Sequence, residues 1–224
     1  MSIKKSVIIV AGGAGKRMGS ETPKQFLLLK GKPILMHTIE AFYNYSSDIQ
    51  IIVVLPETQI DEWNRLIASY NFTIRHQIAI GGKERFDSVK NGLQLVDSGS
   101  FTAIHDGVRP LVSNNTISRC FELAIKEGSA IPVIDVFESI RQITTNGNRS
   151  VPRGEYKLVQ TPQIFSYKII TESYNLTFNE NFTDDASVVE ACGYPIYLTE
   201  GNRENIKVTT PIDMAIGESL LRKD

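Results

Sequence analysis

The sequence predicts a doubly wound, mostly parallel α/β sheet of the Rossmann-like kind, with a projecting β-hairpin arm. Two observations carry that expectation. Short Val- and Ile-rich runs alternate along the chain with segments of helical periodicity, and such runs, lacking period-two alternation, suit parallel strands buried on both faces. A glycine-rich loop follows the first run directly, and open α/β sheets bind ligands at the carboxyl ends of their strands. The chain of 224 residues fits a single domain, residues 1–224, with an excursion at about residues 138–160.

The elements follow in order. Strands are expected at residues 6–10, 49–55, 74–80, 101–105 and 130–136, which taken together are rich in Val and Ile. Helices are expected at residues 34–43, 59–70, 85–96, 116–127, 166–176, 184–191 and 211–221. The last opens on Thr210-Pro211, a capping hydroxyl followed by proline at the first helical position. Two β runs flank Asn146-Gly147, a dipeptide that marks a hairpin turn. A lone two-stranded ribbon is marginally stable and needs something to pack on. It reads either as a surface excursion or as an arm that pairs with a second subunit.

The glycine loop reads Val7-Ile-Ile-Val-Ala-Gly-Gly-Ala-Gly-Lys-Arg-Met18, with Pro23-Lys24-Gln25 after it. Gly12, Gly13 and Gly15 leave out Cβ atoms where backbone N–H groups would approach an anion, and Arg17 and Lys24 add fixed positive charge. Two other glycine loops are excluded. Gly15-Lys16 is followed by Arg17, where the P-loop needs a hydroxyl, and Met18 stands where a dinucleotide fingerprint needs its third glycine.

Residues 1–32 hold seven cations against Glu21 alone, a local +6, so the remainder carries −7 to reach the net charge of −1. That distribution suits a small anionic ligand and gives no support to a nucleic-acid or membrane partner. The 42% hydrophobic and 22% charged fractions are ordinary for a soluble protein. No apolar run approaches the ~20 residues of a membrane span. Cys120 and Cys192 are isolated and fit reduced thiols, so the expected compartment is the cytoplasm.

Ala11-Gly-Gly-Ala-Gly-Lys-Arg-Met-Gly with Pro23-Lys24-Gln25 resembles the nucleotide-binding signature of the sugar-phosphate nucleotidyltransferases. Five further motifs narrow the resemblance: Gly81-Gly82-Lys-Glu-Arg85-Phe-Asp-Ser88, His105-Asp106-Gly-Val-Arg109-Pro110, Thr161-Pro162-Gln163, Thr183-Asp-Asp-Ala-Ser187 and Asn205-Ile-Lys207-Val-Thr-Thr-Pro211. In that order and spacing they are similar to the 2-C-methyl-D-erythritol 4-phosphate cytidylyltransferase family, over essentially the whole chain.

The resemblance implies transfer of CMP from CTP to the phosphate of methylerythritol phosphate, releasing pyrophosphate, in non-mevalonate isoprenoid precursor synthesis. A phosphate monoester with a second pKa near ~6 is mostly dianionic at neutral pH and needs no general base. What the reaction needs is cations, a metal and positioning. The resemblance assigns the triphosphate to backbone groups of Ala11, Gly12, Gly13, Ala14 and Gly15, and transition-state charge to Arg17 and Lys24. It assigns cytosine and ribose to residues 82–88, including Gly82 and Ser88. Asp106 would lie near the phosphates and serve Mg²⁺, a hard ion that takes oxygen ligands, with Arg109 orienting it. Arg153 and Lys207 would position the acceptor phosphate, with Thr161 and Thr183 hydrogen-bonding nearby. The resemblance also implies a homodimer through the hairpin arm, with Arg153 reaching the partner's site.

Simpler readings stand beside these. Arg85 and Arg109 fit structural ion pairs, Thr183 fits an N-cap, Asp184 and Asp185 fit a helix N-terminus, and His105 fits packing. Two positions depart from the family pattern. Gly107-Val108 stands where Ala-Ala is common, and Val136 and Glu138 stand where Thr and a basic residue are common. Ribitol-5-phosphate cytidylyltransferase, with the same chemistry on another acceptor, and a catalytically inactive nucleotide-binding protein remain as alternatives.

Overall fold

The computed structural model describes residues 3–12 and 22–221. Its strands are β1 (Lys5–Val10), β2 (Leu28–Leu29), β3 (Lys32–Pro33), β4 (Gln50–Leu55), β5 (Gln77–Ile80), β6 (Phe101–Asp106) and β7 (Ser129–Asp135). Five follow: β8 (Ile140–Thr144), β9 (Gly147–Val151), β10 (Lys157–Val159), β11 (Gln163–Ser166) and β12 (Leu198–Glu200). The helices are α1 (Ile34–Tyr45), α2 (Glu57–Ser69), α3 (Arg85–Leu93), α4 (Asn114–Glu127), α5 (Tyr167–Ser173), α6 (Asp185–Ala191) and α7 (Pro211–Leu220).

Among the described residues the main sheet runs β10–β7–β11–β6–β1–β4–β5, with β12 against β7. β1 is central and pairs in parallel with β4 and β6. Alternate side chains leave it on opposite faces. Val7 and Ile9 join α1, α2 and α4 in one core, whereas Ile8 joins α3, α5 and α6 in the other. Full burial of such a side chain contributes about 1.5–3 kcal/mol, so each unbroken apolar run holds helices on both faces. This is the doubly wound sheet expected, and it brings the ends of β1, β4 and β6 to one edge.

The departures from expectation have local causes. β11 lies antiparallel between β6 and β7. Its four residues run straight into the helix whose N-cap is Ser166, so the helical pattern from residue 166 hides it. α3 stops at Leu93 because Gln94, Leu95 and Val96 turn to tighter bonds with the carbonyls of Asn91, Gly92 and Leu93. Only the last four residues of the expected 74–80 strand pair with β4. Before them, His76 bonds to the Ile74 carbonyl and to the Trp63 indole.

The arm also differs from expectation. Thr144 pairs with Gly147, so Thr145-Asn146 forms the two-residue loop and Gly147, at φ 130°, begins the return strand. The ribbon ends at Val151. After a 3₁₀ turn at Arg153–Glu155, β10 joins the main sheet against β7. Arg153 therefore sits at the base of the arm and not on a free return strand.

Candidate active site

Three strand ends and two loops enclose a cleft at the carboxyl edge of β1. Val10, Ala11 and Gly12 form its floor, Lys24 and Gln25 one side, and residues 81–85 with Ser88 the other. Gln25 is buried in the 3₁₀ turn that carries Lys24, and its amide donates to the Ala11 carbonyl at 2.7 Å, which ties that turn to the strand end. The Gly82 N–H donates to the Ser88 hydroxyl at 3.1 Å, which folds the loop back on the first turn of α3. A Cβ on Gly82 would stand 2.2 Å from that of Asp87, so only glycine permits this approach.

A second cleft lies behind the first, between β6, residues 159–163 and residues 183–184. Arg85, Asp106 and Lys207 line both clefts and so form the wall between them. Asp106 Oδ2 accepts from Arg109 Nε and pairs with Lys207 Nζ, each at 3.1 Å, while Oδ1 lies 3.9 Å from Arg85 Nε. Burial pushes the Asp106 carboxyl up, but Lys207, Arg85 and Arg109 together outweigh it and hold it well below the usual carboxylate range. Asp106 is therefore ionised at neutral pH.

Arg85 is held from behind. Its two terminal nitrogens meet the two oxygens of fully buried Asp185 at 2.8 and 2.6 Å, and the Tyr174 hydroxyl donates to the same carboxylate at 2.6 Å. Burial opposes the guanidinium charge, and Asp185 overrides it, so Arg85 stays cationic. The pair ties the N-terminus of α3, on the first cleft, to that of α6, on the second.

His105 is fully buried, with its ring edge on Phe42 and both nitrogens bonded, to the Arg109 carbonyl and the Thr161 hydroxyl. Burial pushes its pKa down to about 4, so it is neutral. Gly107 lets the Asp106 loop pass beneath Ala11, where a Cβ would stand 2.9 Å from the Ala11 methyl. Among the described residues no group of three or more His, Cys, Asp and Glu side chains is placed to hold a metal.

A wall of one carboxylate and two cations between two clefts suits a bisubstrate phosphate-transfer site, and comparison with known proteins identifies its kind. The model of the 2-C-methyl-D-erythritol 4-phosphate cytidylyltransferase family, IspD, matches residues 5–223. The chain belongs to this family. It is accordingly an enzyme, a nucleotidyltransferase. The Bacteroides thetaiotaomicron 2-C-methyl-D-erythritol 4-phosphate cytidylyltransferase is 55% identical over 219 residues, covering 98% of this chain and 100% of the relative. Among solved structures, the Thermus thermophilus cytidylyltransferase shares 30% identity with a TM-score of 0.77, covering 97% of this chain and 98% of its own. The Francisella tularensis IspD shares 28% with a TM-score of 0.81, covering 97% and 100%.

Of the residues that the cytidylyltransferase resemblance singles out, Ala11, Gly12, Lys24, Gly82, Ser88, Asp106 and Lys207 line the first cleft. Asp106, Arg109, Thr161, Thr183 and Lys207 line the second. Gly13, Ala14, Gly15 and Arg17 lie outside the described residues. Arg153 lines neither cleft of its own chain, and its guanidinium donates to the Phe137 carbonyl. Val136 and Glu138 line neither cleft, so their departure from the family pattern leaves both untouched within this chain.

One simpler reading needs correction. The N-cap of α6 is Asp184, whose carboxylate accepts from the Ser187 N–H, and not Thr183. Asp185 is the first residue of α6, as a helix N-terminal charge should be, and is also the buried partner of Arg85. The Thr161 hydroxyl is committed to Asp106 and His105. Sequence reasoning passed over Gln25, Gln163, Tyr174 and Asn205. Gln25, Gln163 and Asn205 stand within motifs, whereas Tyr174 lies in none.

Proposed function

We propose that the enzyme transfers the cytidylyl group of CTP to the phosphate of 2-C-methyl-D-erythritol 4-phosphate. An acceptor phosphate oxygen forms the new bond to the α-phosphorus, and the bond from that phosphorus to the bridging oxygen breaks to release pyrophosphate. The observation that carries this reading is the wall of Arg85, Asp106 and Lys207 shared by the two clefts. CTP would occupy the first cleft and the acceptor the second, so both phosphates meet at the wall.

The roles follow from placement. Lys24 and Lys207 supply positive charge where two anions meet, which is the main electrostatic difficulty of the reaction. Arg109 and Lys207 occupy one oxygen of Asp106 and leave Oδ1 for a ligand. One open carboxylate oxygen without a preformed protein cage suits Mg²⁺, an ion that keeps several waters and takes its other ligands from substrate phosphates. When bound, Mg²⁺ would neutralise charge on the departing pyrophosphate. The loop around Gly82 and Ser88 would read cytosine and ribose, while Thr183 would face the acceptor.

We also propose a homodimer in which Arg153 completes the partner's second cleft. Its support is a cation that lines neither of the two clefts, with exposed apolar side chains at Tyr156, Leu158 and Val159 close after it in the chain. Such patches mark interaction surfaces. Unpaired Cys120 and Cys192 favour a cytoplasmic enzyme.

The test is pyrophosphate release from CTP with methylerythritol phosphate and ribitol phosphate side by side. Turnover specific for CTP and methylerythritol phosphate is expected. Equal rates with UTP, ATP or GTP would sink the cytidylyl assignment, and preference for ribitol phosphate would reassign the acceptor.

A further inference from the structure

A closed ring of hydrogen bonds surrounds the Asp106 loop. The Asp106 N–H donates to the Thr161 hydroxyl at 3.1 Å, and that hydroxyl lies 3.0 Å from His105 Nδ1. His105 Nε2 lies 3.0 Å from the Arg109 carbonyl. A carbonyl only accepts, so Nε2 carries the proton; Nδ1 is then bare, and the Thr161 hydroxyl donates to it. On the far side Arg109 Nη1 donates to the Asn205 carbonyl at 2.8 Å, and the Asn205 side-chain amide donates to the Thr161 carbonyl at 2.8 Å. Arg109 Nε closes the ring on Asp106 Oδ2. His105, Thr161 and Asn205 are all buried.

We propose that His105, Thr161 and Asn205 are positioning residues that fix the orientation of the Asp106 carboxylate and, through Asn205, the placement of Lys207. The inference rests on the reading of Asp106 as the carboxylate at the reacting phosphates. A carboxylate among three cations has more than one favourable orientation. Turned one way, Oδ1 approaches Arg85; held as it is, Oδ2 faces Arg109 and Lys207 while Oδ1 stays 3.9 Å from Arg85. The two charge pairs to Oδ2 hold the carboxylate only where their partners stand, and the ring pins the backbone at residues 106 and 109 from both sides. Lys207 is two residues beyond Asn205, so the same bonds anchor the segment that carries it. A displacement near 1 Å at such a group costs about 10²-fold in rate. Thr161 acts here through Asp106, since its only hydroxyl proton is engaged with His105 and does not reach the acceptor.

The experiment compares Thr161→Val, Thr161→Ser, His105→Phe and the double variant His105→Phe/Thr161→Val, with melting temperatures taken alongside. Thr161→Val keeps the shape and removes the hydroxyl; kcat should fall at least about tenfold while KM for each substrate moves less than about threefold. Thr161→Ser retains the hydroxyl and should restore kcat to within about threefold. The double variant should be no more than about twofold worse than the worse single, because members of one ring are not additive. Should His105→Phe not fold, Asn205→Asp, which sets an acceptor against the Thr161 carbonyl, takes its place in the cycle. A rise confined to the acceptor KM in Thr161→Val, adding fully to the His105 or Asn205 effect, would overturn the proposal while leaving Asp106 its role. Full activity in Asp106→Ala would overturn both.

Discussion

Gly82→Ala tests whether the nucleotide loop is held against α3 as tightly as the structure requires. The added methyl would lie 2.2 Å from Asp87 Cβ, 3.1 Å from its carbonyl carbon and 3.2 Å from its Cα. Carbon atoms settle near 3.5 Å or beyond, so the loop must retreat by about 1.3 Å. Asp87 cannot yield instead, because its carboxylate accepts from the Glu84 N–H in the capping box of α3. Overpacking against backbone costs about 1–3 kcal/mol, and a lost cap adds about 1 kcal/mol. At about 2–4 °C per kcal/mol for a chain of this length, melting should drop by roughly 4–16 °C. Retreat by that distance also withdraws the Gly82 N–H from Ser88 and shifts the groups placed to read cytosine and ribose. kcat/KM for CTP should therefore fall about 10²-fold, with KM for the acceptor little changed. Calorimetry and initial rates of pyrophosphate release measure both. Gly154→Ala, where an added Cβ meets nothing within 4 Å, is the melting control. A Gly82→Ala enzyme within about 1 °C and threefold of the parent would refute the reasoning.

Lys24→Ala should lower kcat/KM by about 10²–10³, the scale of one preorganised transition-state donor; a change in KM for CTP alone would make Lys24 a uniform binding group. Dead variants Lys24→Ala and Arg153→Ala, unfolded and refolded together, should regain about a quarter of parental activity, since half the dimers are mixed and half of their sites carry no lesion. No recovery from a preparation shown to hold mixed dimers would refute the shared site. Chelation of divalent cations should abolish turnover, and added Mg²⁺ should restore it; activity that survives chelation would remove the metal from the site. At the start of α7, burial raises the Asp213 carboxyl pKa, but the Thr209 and Thr210 donors prevail and depress it. A depressed carboxylate pKa contributes stability above the ordinary range near ~4 and loses it as pH falls through the folded value. Protection factors of the amides at residues 210 and 212–214 should therefore fall in acid, and Asp213→Ala should show that loss already at neutral pH. Unchanged exchange in the variant would dismiss the cap.

What was legible in the sequence is what local pattern dictates. β1, β4, β6 and β7 announce themselves because strands buried on both faces must be apolar throughout. The glycine-rich run and the cations of the Asp106 and Lys207 motifs stood out because phosphate chemistry restricts which residues will serve, and Lys24, Asp106 and Lys207 do line one cleft. Short and distant features were not. β11 has four residues and no turn before its helix, and β12 has three. Arg85 and Asp185 are separated by 100 residues, and nothing in either motif says that one buries its charge on the other. His105 read as packing because its Phe42 contact and its two hydrogen bonds call for the same buried residue. The placement of Arg153 at the arm's base depended on β10 leaving the ribbon for the main sheet, a choice set by β7 rather than by the arm.

The wall of Arg85, Asp106 and Lys207 also bears on how such a protein can diversify. Those three side chains deal only in charge, and charge is what any nucleoside triphosphate and any sugar-alcohol phosphate have in common. On the proposed assignment, recognition of the base would belong to one cleft and recognition of the polyol to the other, on segments far apart in the chain. A lineage could then retune its acceptor through Val159 and Thr183, which line only the second cleft, and leave the groups placed to select the nucleotide in position. The ionic partition acts as a fixed joint, with replaceable fittings on either side.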